Sequence, residues 1–410
     1  MPFLSRLDQL FTPSRIRGYA LLLVAAYVIA AVWWLGAMKH GVDADGKPIG
    51  YDFITFYAES MLDRAGRAAA AYDMAAITAA EKAIIAANQT ICLWHYPPTF
   101  ALLMKPLAYM PYLVALPVFV FGSLALYLLM VRQISDHPLA LLLALALPAV
   151  FINGMHGQNG FLNTAVLGFG LLMLDRRPWL AGLLLGLLVY KPHFGVLLPL
   201  LLASQGRWKS FAGAAISATL FCAISLAVYG LEPWLAFVRN LSVVSQVLER
   251  RMLPWPKIPS VFVAVADLGV PQAVAYGVHI AVAVGLAGLT WRAWRLPGPQ
   301  TLKVALAIPA ILAVSPYCFD YDLVLLAIPI ALVAEHARRA AVPTGTKAVL
   351  GLGFITPIAF TWIADKTHIH LMPVAILLFY AGLWRVLAQA RGEELSVTQN
   401  LKSPGLAEPA

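Results

Sequence analysis

Long apolar runs, each closed by a charged residue or a turn, recur along almost the whole chain. They fall near residues 18–37, 112–131, 138–152, 160–174, 209–229, 272–291, 302–315, 321–337, 347–363 and 371–389. A membrane-crossing helix needs roughly 17 to 25 such residues, so the pattern predicts spans. Residues 178–203, PWLAGLLLGLLVYKPHFGVLLPLLLA, are long enough for one more, but both flanks are basic: Arg176 and Arg177 before, Arg207 and Lys209 after. Basic flanks belong on the cytoplasmic side. Two short helices meeting at Lys191-Pro192-His193 keep both flanks there, and the proline supplies the break. The prediction is an all-α, polytopic membrane protein with about twelve apolar helices, two of them too short to cross fully.

Two stretches interrupt the pattern, 38–111 and 230–271. The first contains AESMLDRAGRAAAAYDMAAITAAEKAIIAAN, whose helical spacing and mixed polarity predict helices lying on the outer membrane surface. The second contains RRMLPWPKIPS, whose prolines and tryptophan suit an interfacial loop. Polar residues 391–410 predict a disordered cytoplasmic tail. With 61% hydrophobic and 12% charged residues, no sizeable soluble domain can be carved out, and residues 1–390 read as a single membrane domain.

The net charge of +9 changes the picture only in topology. Basic residues stand singly beside apolar runs instead of clustering, which argues against a nucleic-acid partner. Arg132, Arg176, Arg177, Arg207, Lys209, Arg292, Arg295, Lys303, Arg338, Arg339 and Lys347 fall in one set of short loops, Lys191 and Lys366 in the other. Both termini then face the cytoplasm and the two long stretches lie outside. Arg6, Arg15 and Arg17 precede the first run and no small-residue cleavage site follows it, as in an uncleaved anchor. Cys92, Cys222 and Cys318 carry no metal-ligand spacing, and a Cys92–Cys318 bridge stays open as an alternative.

Drawn on this topology, the unusual polar residues gather on the outer side: YDF, LWHYPP, NGMHGQNGF, YKPHFG, SPYCFDYD and ADKTHIH, with six of the nine histidines (His40, His95, His156, His193, His368 and His370). Asp52 sits among Tyr51, Phe53, Phe56 and Tyr57. Those rings predict a desolvated carboxylate of raised pKa, as suits a general base, whereas the plain alternative is a loop carboxylate or helix N-cap. Gln158 and Asn159 offer the paired donors and acceptors that suit sugar hydroxyls, although Asn-Gly pairs make turns unaided. Lys191, at a helix break, calls for an anionic partner, either an aspartate or a phosphate. Asp320 and Asp322 suit orienting a substrate or pairing with Lys191 better than holding a metal ion, for which a third ligand at fixed spacing is missing. His368 and His370 read as surface residues.

YDF after the first run, YD at 72–73, YPPTFALLMKPLAYMP, GQNGFLNTAVLG, YKPHFGVLLPLLLA and SPYCFDYDLVLLAIP follow one another in an order that resembles glycosyltransferase family 87. The resemblance runs from about residue 18 to 390. It implies a GT-C-type fold and an inverting, metal-free and cofactor-free transfer of a hexose, as in the family's mycobacterial α-1,2-mannosyltransferases. The implied donor is a polyprenyl-phosphate-linked sugar, the acceptor a lipid or glycan, and the place the periplasmic side, among membrane lipids. It implies Asp52 as the base, Lys191, His193 and His95 at the donor phosphate, and Gln158, Asn159 and Asp322 at sugar hydroxyls. Tyr96 and Trp94 are then expected to stack on a sugar, with Tyr51, Tyr57, His156, Tyr317 and Asp320 lining the sugar and acceptor site. Tyr321 and Asp322 stand where actinobacterial relatives carry paired histidines, so mannose is not fixed by the resemblance. The alternative function is a transporter or flippase of lipid-linked sugars, which calls for an inverted repeat and polar residues on both sides; neither is visible.

Overall fold

The computed structural model describes residues 8–402, and among them the regular structure is helical, with only isolated β-bridges at Lys39–Val42 and Val42–Pro48. The protein is an all-α polytopic membrane protein. All twelve predicted apolar segments are helical, but they differ in reach. Pro13–Ala37, Tyr112–Ile134, Trp208–Tyr229, Gln272–Arg295, Thr346–Thr367 and Met372–Ser396 are long and apolar enough to cross a membrane. A seventh span exists if Pro138–Ala146 and Pro148–His156, bent by 57°, count as one. Pro148 explains the bend: it has no N–H for the ladder, and it holds Leu147 away from helical geometry, at ψ 122°.

Gly160–Leu172, Pro178–Tyr190, Pro192–Ser204 and Gln300–Val314 are shorter. At 1.5 Å per residue a 13-residue helix such as Gly160–Leu172 rises about 20 Å, against a hydrocarbon thickness of about 30 Å. Such a helix is too short to cross alone, and non-helical backbone at membrane depth is tolerated only inside protein or along a cavity. The ends carrying Gln158-Asn159, Tyr190-Lys191 and Asp320-Asp322 meet, and that meeting point is the candidate site. Around it Leu306, Ile308, Leu312, Leu323, Val324 and Ile328 are almost fully buried in the main apolar core.

The first connecting stretch differs from its expectation. Phe53–Arg64 is not a surface helix, since ten of its twelve residues are buried. It anchors a separate aromatic core in which Phe56 meets Trp94, Tyr96, Phe100 and Phe119 edge-on, with centroids 5.1–6.1 Å apart. Each such contact adds about 0.5–1.5 kcal/mol beyond area burial. Met74–Ile84 is the amphipathic one, burying only Ile77 and Glu81.

In the second stretch Glu232–Glu249 is helical, and Asn240 ties it to the first by donating to Trp94 O at 3.0 Å. The Pro-rich segment that follows is irregular apart from one turn, Trp255–Lys257. The final helix runs from Met372 to Lys402 and so takes in the first part of the predicted tail. Residues 403–410 lie outside the described residues. The three cysteines are free, so Cys92 and Cys318 do not pair.

Candidate active site

Asp52 stands between Tyr51, held at φ 34°, and the helix it precedes. A positive φ on a tyrosine is strained and persists only where its surroundings over-determine it. Here they do: the Tyr51 hydroxyl donates to Asp43 at 3.1 Å, and its ring meets Trp34 at 5.2 Å and His156 at 4.9 Å. Asp52 N–H donates to His156 O at 3.1 Å. Its side chain makes no cap bond. Oδ2 instead accepts from Gln158 Nε2 and contacts His156 Nδ1, both at 3.1 Å. Among the described residues nothing donates to Oδ1, and the side chain is 29% exposed.

This arrangement reverses the expected pKa shift. Burial raises the value, but His156, Gln158 and Lys257 outweigh it, and the carboxyl is held below its ordinary range. Aromatic neighbours alone predict the opposite sign; the N–H donors come from residues 156–158, a hundred positions away.

His156 is gripped at both ends. Lys257 Nζ lies 3.1 Å from Nε2, and an ammonium has no lone pair, so Nε2 accepts and Nδ1–H donates to Asp52. The GQNG turn makes this possible. Gly157 caps Pro148–His156 in the left-handed region at φ 59°, where a Cβ would lie 2.6 Å from Phe53 Cβ. Gly160 N–H donates to Asn153 Oδ1 at 2.8 Å, and a Cβ there would come 2.5 Å from that oxygen and 2.8 Å from Tyr321 O.

Beside this relay lies a second, buried network. Lys191, 5% exposed, donates to Asp322 Oδ1 at 2.6 Å and to Asn159 Oδ1 at 3.0 Å. Asp322 Oδ2 accepts from Phe319 N, and Asn159 Oδ1 also accepts from Asn163 Nδ2, whose own Oδ1 takes the Tyr190 hydroxyl at 2.7 Å. Gln158 joins the two networks, its Oε1 accepting from Asn159 N and, at 3.4 Å, from the Tyr96 hydroxyl. Tyr321 packs between them, its ring 5.9 Å from His156 and 5.6 Å from Lys191 Nζ.

Asp52, His156, Gln158, Asn159, Tyr96, Lys191 and Asp322 are thus brought together, but other expected residues take different places. Trp94 and Tyr57, 2% and 6% exposed, belong to the aromatic core and present no face for a sugar. Tyr57 donates to Met110 O. His95 packs on Asn240, and burial lowers its pKa to about 4, so at neutral pH it is no cation for a phosphate. Tyr317 packs with Tyr276 and Phe262 around Leu248. Asp320 is buried, and desolvation pushes it up to about 6 against the pull of Lys257 and His156.

His193, Cys318 and Asp322 place one ligand atom each within 4.8 Å of one another. The Lys191 ammonium already occupies Asp322, and burial raises the Cys318 thiol, so the positive charge at this cluster is the lysine's. Lys257 is the residue that sequence reasoning missed. A lone lysine in a Pro-rich loop belongs to no motif, and its only signal was the turn chemistry around it.

The sequence model of glycosyltransferase family 87 matches residues 94–316. The chain belongs to glycosyltransferase family 87. The matched stretch of this family 87 member carries His156, Gln158, Asn159, Lys191 and Lys257, while Asp52 and Asp322 come from outside it. No curated protein and no solved structure matches the chain. The open oxygen of Asp52 beside an array of amides places a proton acceptor next to groups that can hydrogen-bond hydroxyls.

Proposed function

We propose that this protein is an inverting glycosyltransferase that moves a hexose from a polyprenyl-phosphate carrier to a lipid or glycan hydroxyl on the periplasmic side of a bacterial cytoplasmic membrane. The observation that carries this reading is Asp52: Oδ2 is held by two N–H groups while no donor among the described residues reaches Oδ1. The acceptor O–H gives its proton to Oδ1 as its oxygen bonds to the anomeric carbon. The bond from that carbon to the phosphate oxygen breaks, and its electron pair leaves with the polyprenyl phosphate. The leaving group has little need of a proton, so one carboxylate suffices, and positioned base assistance is worth roughly 10² to 10⁴ in rate.

Tyr96 and Gln158, beside Asp52, are proposed to meet the sugar hydroxyls, with Asn159 and Asp322, fully buried against Lys191, holding the network behind them. Helices too short to cross that meet at the site support a lipid-borne donor over a soluble nucleotide sugar. The basic loops support the periplasmic orientation, and the resemblance to mannosyltransferases makes mannose the first sugar to test.

The test is a donor screen on purified protein in nanodiscs, read by mass spectrometry of extracted acceptor lipids. Transfer from synthetic polyprenyl-phosphate hexoses, with none from nucleotide sugars, is the expected result. Turnover of nucleotide sugars, or of no prenyl-linked donor, would overturn the reading.

A further inference from the structure

We propose that Lys257 holds the phosphate of the lipid-linked donor, an assignment that rests on the reading of Asp52 given above and replaces Lys191 in that role. Lys191 is the obvious lysine by sequence, but its charge is already matched by Asp322 at 2.6 Å in a buried setting. Lys257 differs in every respect that bears on binding an anion. Among the described residues no carboxylate lies within ion-pair distance of it, and its one close acceptor is the neutral nitrogen of His156 at 3.1 Å. Asp52 and Asp320 feel its charge from farther off. An ammonium has three donors, so two remain for a ligand.

The lysine is also presented from fixed backbone. Trp255, 7% exposed, donates from Nε1 to Leu248 O at 3.0 Å, and Ile258 is fully buried. Arg251 lies over the Trp255 ring at 4.2 Å and pairs with Asp267 at 2.6 Å. A half-buried cation pinned in this way loses little freedom when an anion arrives.

The placement suits the chemistry. Asp52 and Lys257 occupy opposite edges of one imidazole, so a glycosyl carbon lying against that ring has a base on one side and a cation on the other. An inverting displacement needs that division between attack and departure. When the bond from the anomeric carbon to the phosphate breaks, the oxygen gains the electron pair, and a fixed ammonium stabilises it with no proton changing hands.

The experiment measures binding of a synthetic polyprenyl monophosphate, the leaving group itself, to protein in nanodiscs by intrinsic tryptophan fluorescence, together with donor KM and kcat. Lys257→Gln keeps an N–H donor for His156 but removes the charge. It is expected to weaken polyprenyl phosphate about 10- to 100-fold and to raise donor KM in parallel, while Lys257→Arg keeps most of the affinity. Unchanged affinity in Lys257→Gln, or a fall in kcat alone, overturns the assignment and leaves Lys257 as an orienting partner of His156. Asp52→Asn separates the two ideas: if it is inactive while Lys257→Gln binds normally, only Lys257 is misassigned. A wild type that binds no polyprenyl monophosphate removes the donor class as well.

Discussion

Replacing Lys191 by methionine leaves Asp322 buried at 1% side-chain exposure with Phe319 N–H, at 3.1 Å, as its remaining donor. Asn159 Oδ1 loses a 3.0 Å bond but keeps Asn163 Nδ2 at 2.9 Å, so the cost is chiefly the stranded carboxylate. Breaking a buried ion pair from one side costs about 3–5 kcal/mol. Lys191→Met/Asp322→Leu removes both charges and strands only the Phe319 N–H, worth about 1–3 kcal/mol. The double variant is therefore expected to be about 2 kcal/mol more stable than Lys191→Met, despite carrying one more substitution. Thermal unfolding of wild type, both single variants and the double variant in one detergent gives the ranking, and a double-mutant cycle gives the coupling where unfolding is reversible. If the double variant is no more stable than the singles, or Lys191→Met matches wild type, the pair is not locked and the case for a free phosphate-binding Lys191 returns.

Other expectations are independent of that pair. Because His156 and Gln158 hold the Asp52 carboxyl low, activity should fall only as pH drops through a value below the ordinary aspartate range, and His156→Ala should move that acid limb upward; a wild-type limb near pH 6 in kcat/KM would contradict the assignment. Burial lifts Glu81 to about 8. The unfolded chain releases this proton near its ordinary value while the folded chain retains it, so the group costs stability progressively as pH rises from about 4.5 to 8. Glu81→Gln should raise the thermal midpoint at pH 8 and leave it unchanged at pH 4, and the opposite trend would refute the burial argument. Gly160→Ala should abolish activity and lower stability, since its Cβ would meet Asn153 Oδ1 and Tyr321 O; an active, stable variant would show that the turn has room.

The spans were legible because apolar runs and basic flanks are read one segment at a time. So was the break at Lys191, where a charge and a proline coincide in an apolar stretch. Helix lengths were less so: Gly160–Leu172 and Gln300–Val314 look like spans by composition, and only their ends in space reveal how far they reach. Asp52 stood out by its neighbours, yet the sign of its pKa shift depended on donors that no local window contains. Trp94 and Tyr57 carry the residue types of a sugar platform, and tertiary packing made them core. Lys257 belonged to no motif, and its meaning comes from His156, 101 positions earlier.

Asp52→Asn preserves volume and leaves the neighbouring amides in place while removing the proton acceptor. With polyprenyl monophosphate binding as the control for folding, turnover of a synthetic polyprenyl-phosphate hexose by this variant is expected to fall by about 10² to 10⁴ at unchanged affinity. Turnover equal to wild type would mean that another group takes the acceptor's proton.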